Sequence, residues 1–321
     1  MQSATQDTRH RVVLDESSFD FRGLSSEEVE DGLDTLNDAI VSLRDDELAP
    51  LCPPMWDGVE VLDGCELYQF LSREWPSTVG RDTLLLTHSL LSKCREWEDT
   101  RGDVETTVSI GSGEPKMALS VGYALSATVL PSAVACLGLA ATTQSGFVKV
   151  TGKNTSGDVF FFSEPSSLKH FWRRVFSFEN VAEAKFFDVA VRAFPGLVLC
   201  DGLSFGSFEG RYVDLRERVV EVLSGLCDHF VAAYRQASGI PNDVQAALGA
   251  HHLEVSPESP NTRGSERLMR HRDVEHDGRV YRCEWHAKLE PHRNRIHFWV
   301  PQADDDEDKL VIGKFVIHLP T

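Results

Sequence analysis

The chain has 321 residues, 41% of them apolar and 26% charged, and a formal net charge of −18 at pH 7. That length exceeds the size at which one core keeps growing, so two domains are expected, and the apolar fraction excludes wholesale disorder. A protein this acidic repels nucleic acid and anionic membranes unless positive charge is gathered locally. Here it is gathered from Val255 to Phe298, where nine Lys and Arg stand against seven Asp and Glu with five of the twelve histidines, whereas the residues before Val255 sum to about −17.

The seven cysteines are odd in number and show no CxxC pair or metal-ligand spacing, which reads as reduced thiols in a cytoplasmic protein. Met1 to His10 is polar and lacks the apolar run of a secretory signal. Met117 to Val148 is uncharged and long enough to span a bilayer. Gly122, Pro131, Gly138 and many hydroxyl residues interrupt it, predicting a buried helix followed by strands and no membrane partner.

In chain order, Arg11 to Leu14 predicts a first strand. Ser25 followed by Glu28 forms a capping box, and Val29, Leu33, Leu36, Ile40 and Leu43 make the apolar stripe of a helix running to about Asp45. Leu51 to Gly64 is a Pro- and Gly-rich loop, followed by helices over Glu66 to Ser72 and Arg81 to Trp97 and a strand over Thr106 to Ile110. A helix from Met117 to Thr128 leads to strands at Ala133 to Leu139, Phe147 to Val150 and Val159 to Phe162. Ser166 to Phe176, Val181 to Phe194 and the long stretch from Tyr212 to Gln236 read as helices. The class is α+β, with a mixed N-terminal domain over residues 1–254 and a small antiparallel-sheet domain over residues 261–321. The turn-rich segment Ser256 to Asn261 is the expected linker, and Asp304 to Asp308 an exposed acidic loop.

The densest chemistry lies in that second domain. Tyr281, Cys283, Trp285, Ala287 and Leu289 alternate with Arg282, Glu284, His286 and Lys288, and Asn294, Ile296 and Phe298 alternate with Arg293, Arg295 and His297, the period of a β-hairpin with one buried face. A turn at Glu290 and Pro291 would pair Lys288 with Arg293, His286 with Arg295, and Glu284 with His297. The polar face then holds an acid, two histidines and several cations.

The run Cys283-Glu284-Trp285-His286-Ala287-Lys288-Leu289, then Arg295-Ile296-His297-Phe298, then Leu310-Val311-Ile312-Gly313-Lys314 ending at His318-Leu319-Pro320-Thr321, resembles the C-terminal sheet of the RelE/HigB/ParE toxin superfamily over about the last sixty residues. The whole chain also resembles long uncharacterised bacterial proteins ending in this block. The resemblance implies a toxin-like or phage-defence ribonuclease that drives the ribose 2′-OH onto the adjacent phosphate. In that reading Glu284 or His286 is the base, Lys288, Arg293 and Arg295 clamp the phosphate, and His297 or His318 is the acid. ParE-type members are not nucleases, so the resemblance in fold does not by itself imply cleavage, and the expectation is a module that cleaves or binds RNA. The competing class is a non-catalytic interaction or regulatory protein whose charged hairpin face docks another protein.

Glu284, His286 and His297 would also make a two-His-one-carboxylate set, but Arg295 opposes a dication and no zinc motif is present, so neither metal nor cofactor is expected. His251 and His252 end a predicted helix, where a cation suits the macrodipole. The glycines at 111, 113, 202, 206 and 210 lack a phosphate-loop context and read as turns.

Overall fold

The computed structural model describes residues 11–98, 104–129, 132–290, 293–302 and 309–320; Met1 to His10, Pro131, Pro291 and the run Asp304 to Asp308 lie outside the described residues. The chain divides into two compact units between Phe171 and Trp172.

In the first unit the strands are β1 (Val12–Leu14), β2 (Leu51–Cys52), a small hairpin of β3 (Glu60–Leu62) and β4 (Cys65–Glu66), then β5 (Arg95–Glu96), β6 (Thr107–Ile110), β7 (Lys116–Met117), β8 (Ala135–Leu137), β9 (Gly146–Thr151) and β10 (Ser156–Phe162). One sheet takes the order β5-β2-β1-β8-β10-β9-β6-β7. Its first five strands run parallel, and β9, β6 and β7 complete it antiparallel. The uninterrupted apolar runs of β1 and β8 are buried throughout, as central parallel strands must be.

Helix Ser26–Asp45 joins β1 to β2 and buries the predicted stripe. Its capping box is complete: Ser25 Oγ accepts from the Glu28 amide at 3.2 Å, and the Glu28 carboxylate accepts from the Ser25 amide at 2.8 Å. The uncharged segment forms helix Leu119–Val129, whose first amides, those of Leu119 and Ser120, donate to the buried Glu16 carboxylate. No helix among the described residues is long and apolar enough to cross a membrane.

The second unit holds β11 (Leu197–Leu199), β12 (Val255–Pro257), β13 (Asp273–His276), β14 (Arg279–Arg282), β15 (Trp285–Glu290), β16 (Arg293–Trp299) and β17 (Leu310–Val316). Five of these form a sheet in the order β11-β17-β16-β15-β12, antiparallel except for the β11–β17 pair. The fold is therefore α+β. The division falls well before the Ser256 to Asn261 stretch, because the outer strands β11 and β12 precede residue 260 and pair with strands far along the chain. Helix Tyr212–Gly225 continues through wider π-type turns at Leu226–Phe230 into Val231–Gln236. Phe230, in those turns, packs edge-on against Trp285 and Phe298 with ring centroids 5.4 and 4.8 Å away.

The expected first hairpin arm is split. β14 pairs with β13 across Asp277 and Gly278, whose φ values of 50° and 75° suit a two-residue turn. The chain then breaks at Cys283 and Glu284, where the Cys283 amide donates to the Arg272 carbonyl at 3.0 Å, before β15 begins.

Burial and the neighbouring Asp15 raise the Glu16 carboxyl to about 7. Between its ordinary value near 4.5 and 7 the folded chain binds more protons here than the unfolded chain does, so stability falls as pH rises through that window. Glu16→Gln is expected to flatten the fall by up to roughly 3 kcal/mol. Urea unfolding of both proteins at pH 5 and pH 7.5 measures it, and parallel pH profiles would contradict the assignment.

Candidate functional site

Cross-strand pairing sets the site. β15 and β16 align Trp285 with Phe298, His286 with His297, Ala287 with Ile296, Lys288 with Arg295, and Glu290 with Arg293. This is two residues along from the expected register, because Glu290 and Arg293 close the hairpin directly. A shift of two preserves the faces but changes every partner. His286 thus meets His297 instead of Arg295.

The seven predicted residues separate accordingly. His286 and His297 come together, 6% and 0% exposed. Glu284 sits at the break before β15; its carbonyl accepts from the Glu258 amide at 2.8 Å, while its side chain stays outside the cluster. Lys288 pairs with Glu254, and Arg293 pairs with Glu290 at 2.7 Å and Glu209 at 3.4 Å, so neither forms a free phosphate clamp. Arg295 has no ion-pair partner among the described residues, and its Nε is buried without an acceptor. His318 is exposed, close enough to His286 to oppose its protonation.

The carboxylate that does join the histidines is Glu258. Its Oε1 lies 3.7 Å from Nδ1 of His286 and 3.7 Å from Nδ1 of His297. One ligand atom from each of the three residues lies within 4.8 Å of the others, and all three residues are buried. Arg272, fully buried, places Nε 2.9 Å from the same Oε1 while Nη1 donates to the Leu268 and Pro320 carbonyls at 2.9 Å. Ser256 Oγ meets His286 Nε2 at 3.1 Å. Local structure sets these positions: Ser256 and His286 are partners across β12 and β15, and Glu258 follows β12 just before Ser259 caps the turn of helix Pro260–Arg263.

Burial first, then Arg295, Lys288 and Arg272, push His286 down to about 3. Burial, His286 and Arg272 hold His297 well below the usual imidazole range. Both rings are therefore neutral at physiological pH, the form that ligates metals. If Nε2 of His286 carries its proton toward Ser256, the Nδ1 lone pair faces Glu258. Nδ1 of His286, both ring nitrogens of His297 and Glu258 Oε1 make no well-formed hydrogen bond among the described residues, although the Cys283 backbone lies close enough to His297 to favour its protonation. Unsatisfied buried polar atoms cost about 1–3 kcal/mol each, so a cluster of them needs an occupant such as an ion or water. A triangle with two 3.7 Å edges leaves room for an ion roughly 2 Å from each corner, the usual distance for first-row dications. Arg272 would then be the outer partner that orients the ligating carboxylate.

Glu258 was not legible as a site residue because it lies in the stretch expected to be a linker, and Arg272 because it falls between the expected helix and the hairpin. The signals present were Val255-Ser256-Pro257 as a short edge strand and Ser259-Pro260 as a helix start; nothing local marks Arg272.

In chelator, Glu258→Gln and Arg272→Met are each expected to cost about 3–5 kcal/mol by leaving a buried charge unpaired, and the double variant less than the sum. Urea titrations of the four proteins test this, and additive losses would show that the two charges do not depend on each other. Comparison with protein-family models, curated proteins and solved structures gives no match.

Proposed function

We propose that the second unit is a metal-responsive, non-catalytic module that holds a divalent transition-metal ion on Glu258, His286 and His297. The observation behind this reading is the buried carboxylate facing two neutral imidazoles whose inward nitrogens make no hydrogen bond among the described residues. Three ligands with an open position suit zinc or cobalt. The burial of all three ligands and of Arg272 argues against a polymer substrate reaching the ion. The role that fits is to fasten the edge strand β12 and the segment leading to Arg272 onto the hairpin. Arg272 and Arg295 oppose the dication and weaken its binding, which suits a responsive site better than a permanently filled one. Docking through the hairpin's polar face is less favoured, since its centre is buried.

One Zn²⁺ or Co²⁺ per chain is expected by elemental analysis after dialysis, and Co²⁺ should give visible d–d absorption. At a hundredfold excess over Kd the ion should add roughly 2.7 kcal/mol of stability. Glu258→Gln and His297→Gln should each remove both effects. Equal melting temperatures with Zn²⁺ and with chelator, together with no retained metal, would exclude the reading.

RNA binding by a toxin-like module is the second reading, favoured by Arg295, which has no ion-pair partner among the described residues, and by the exposed imidazole of His318. It predicts that the full chain binds single-stranded RNA at 20 mM salt, loses most of that affinity by 200 mM, and is weakened by Arg295→Ala. Absence of binding at low salt would remove it.

A further inference from the structure

The parallel strands of the first unit run outward from β1 in two directions. From β1 the chain moves to β2 and β5 on one side, and later to β8 and β10 on the other. The order therefore reverses between β1 and β8, and in open parallel sheets ligands sit beyond the carboxyl ends of the strands at that reversal. The two loops leaving this point are tied together. The Asp15 amide donates to the Leu137 carbonyl at 2.7 Å, and the Ser18 hydroxyl accepts from the Leu139 amide at 2.9 Å. Thr142 donates its hydroxyl to the Ser18 carbonyl. Gly138 makes the return possible, since a Cβ there would collide with the Thr143 side chain.

A cavity of about 260 Å³ opens here, lined by Asp15, Lys116, Thr142, Thr143, Glu114 and Phe161 among others. Asp15 is 2% exposed. Its Oδ1 accepts the Ser17 amide at 3.1 Å and the Ser17 hydroxyl at 2.6 Å, while Oδ2 accepts no hydrogen bond among the described residues. A buried carboxylate with an unused oxygen lines the cavity, Lys116 is held nearby through the Ser17 carbonyl at 3.2 Å, and Glu114 adds a second negative charge. The neighbouring helix Leu119–Val129 supplies no anion site, because Glu16 already occupies its first amides.

We infer that this cavity binds a small zwitterion of the free amino-acid class, its ammonium on Asp15 Oδ2 and its carboxylate toward Lys116. Two carboxylates and one lysine leave the cavity negative, so a bare phosphate is repelled and an ammonium is favoured. The buried Asp15 charge gains most from a cationic partner, since burial alone disfavours it. The size suits a molecule of amino-acid dimensions, and Phe161 supplies an apolar wall for its side chain.

The test is calorimetric titration of the full chain with each free L-amino acid, with primary amines lacking a carboxylate, with monosaccharides and with inorganic phosphate. At least one amino acid should bind with saturable 1:1 stoichiometry. Asp15→Asn, which keeps the oxygen that accepts from Ser17, should weaken it tenfold or more. Lys116→Ala, an exposed change, should weaken the amino acid severalfold but leave the matching amine unaffected. Saturation by a sugar or phosphate but by no amino acid overturns the ligand class. Binding unaffected by Asp15→Asn, or no binding by any probe, overturns the site.

Discussion

The second unit is organised around one buried ion pair, Glu258 with Arg272. A guanidinium with no exposed surface needs its charge matched nearby. Glu258 Oε1 does so from 2.9 Å, and the carbonyls of Leu268 and Pro320 accept from Nη1, although the Nε–Oε1 contact is an ion pair without hydrogen-bond geometry. Those contacts bring together the chain after β12, the turn leading into β13 and the end of the described chain. The same carboxylate then faces His286 and His297, so the ion pair sets both the packing and the chemistry of the site. Because the partners come from three separate segments, loss of either charge disturbs all three at once.

The hairpin carries the other half of the arrangement. On one face Trp285 and Phe298 bury their rings against Phe230, anchoring the sheet to the long helix. On the opposite face the histidines would ordinarily meet water; here the Glu258 and Arg272 segment covers them. With both faces covered, the imidazoles lose their solvent and stay neutral. Of the hairpin cations, Lys288 and Arg293 are neutralised by Glu254, Glu290 and Glu209, so the local excess of positive charge is largely consumed within the unit. This is why a basic segment in an acidic chain need not be a nucleic-acid surface.

The first unit is built on a different logic. Its central strands are apolar on both sides and parallel, which leaves polar side chains at the strand ends as the places where chemistry can occur. Asp15 and Glu16 are adjacent there and do different work. Glu16 is turned to the helix amides and serves the fold, whereas Asp15 leaves an oxygen toward the cavity.

The sequence by itself determined what local periodicity and capping can encode. It contained the α+β class, the Ser25–Glu28 capping box, the long helix from Tyr212 and the faces of the hairpin strands, because each depends on residues within a few positions of one another. The Asp277-Gly278 pair is a two-residue turn signal that went unread, and the strict alternation through Val280 to Leu289 hid the break at Cys283 and Glu284. Tertiary structure alone decided the hairpin register, the edge strands β11 and β12, and the choice of Glu258 over Glu284 as the acid beside the histidines. Register depends on where a turn closes, and edge strands depend on pairing across long chain separations. Glu284 had the right alternation, but the break at Cys283 and Glu284 removed it from the sheet. Glu258 lies 28 residues from His286 and 39 from His297 in sequence, and only folding around Arg272 brings the three together.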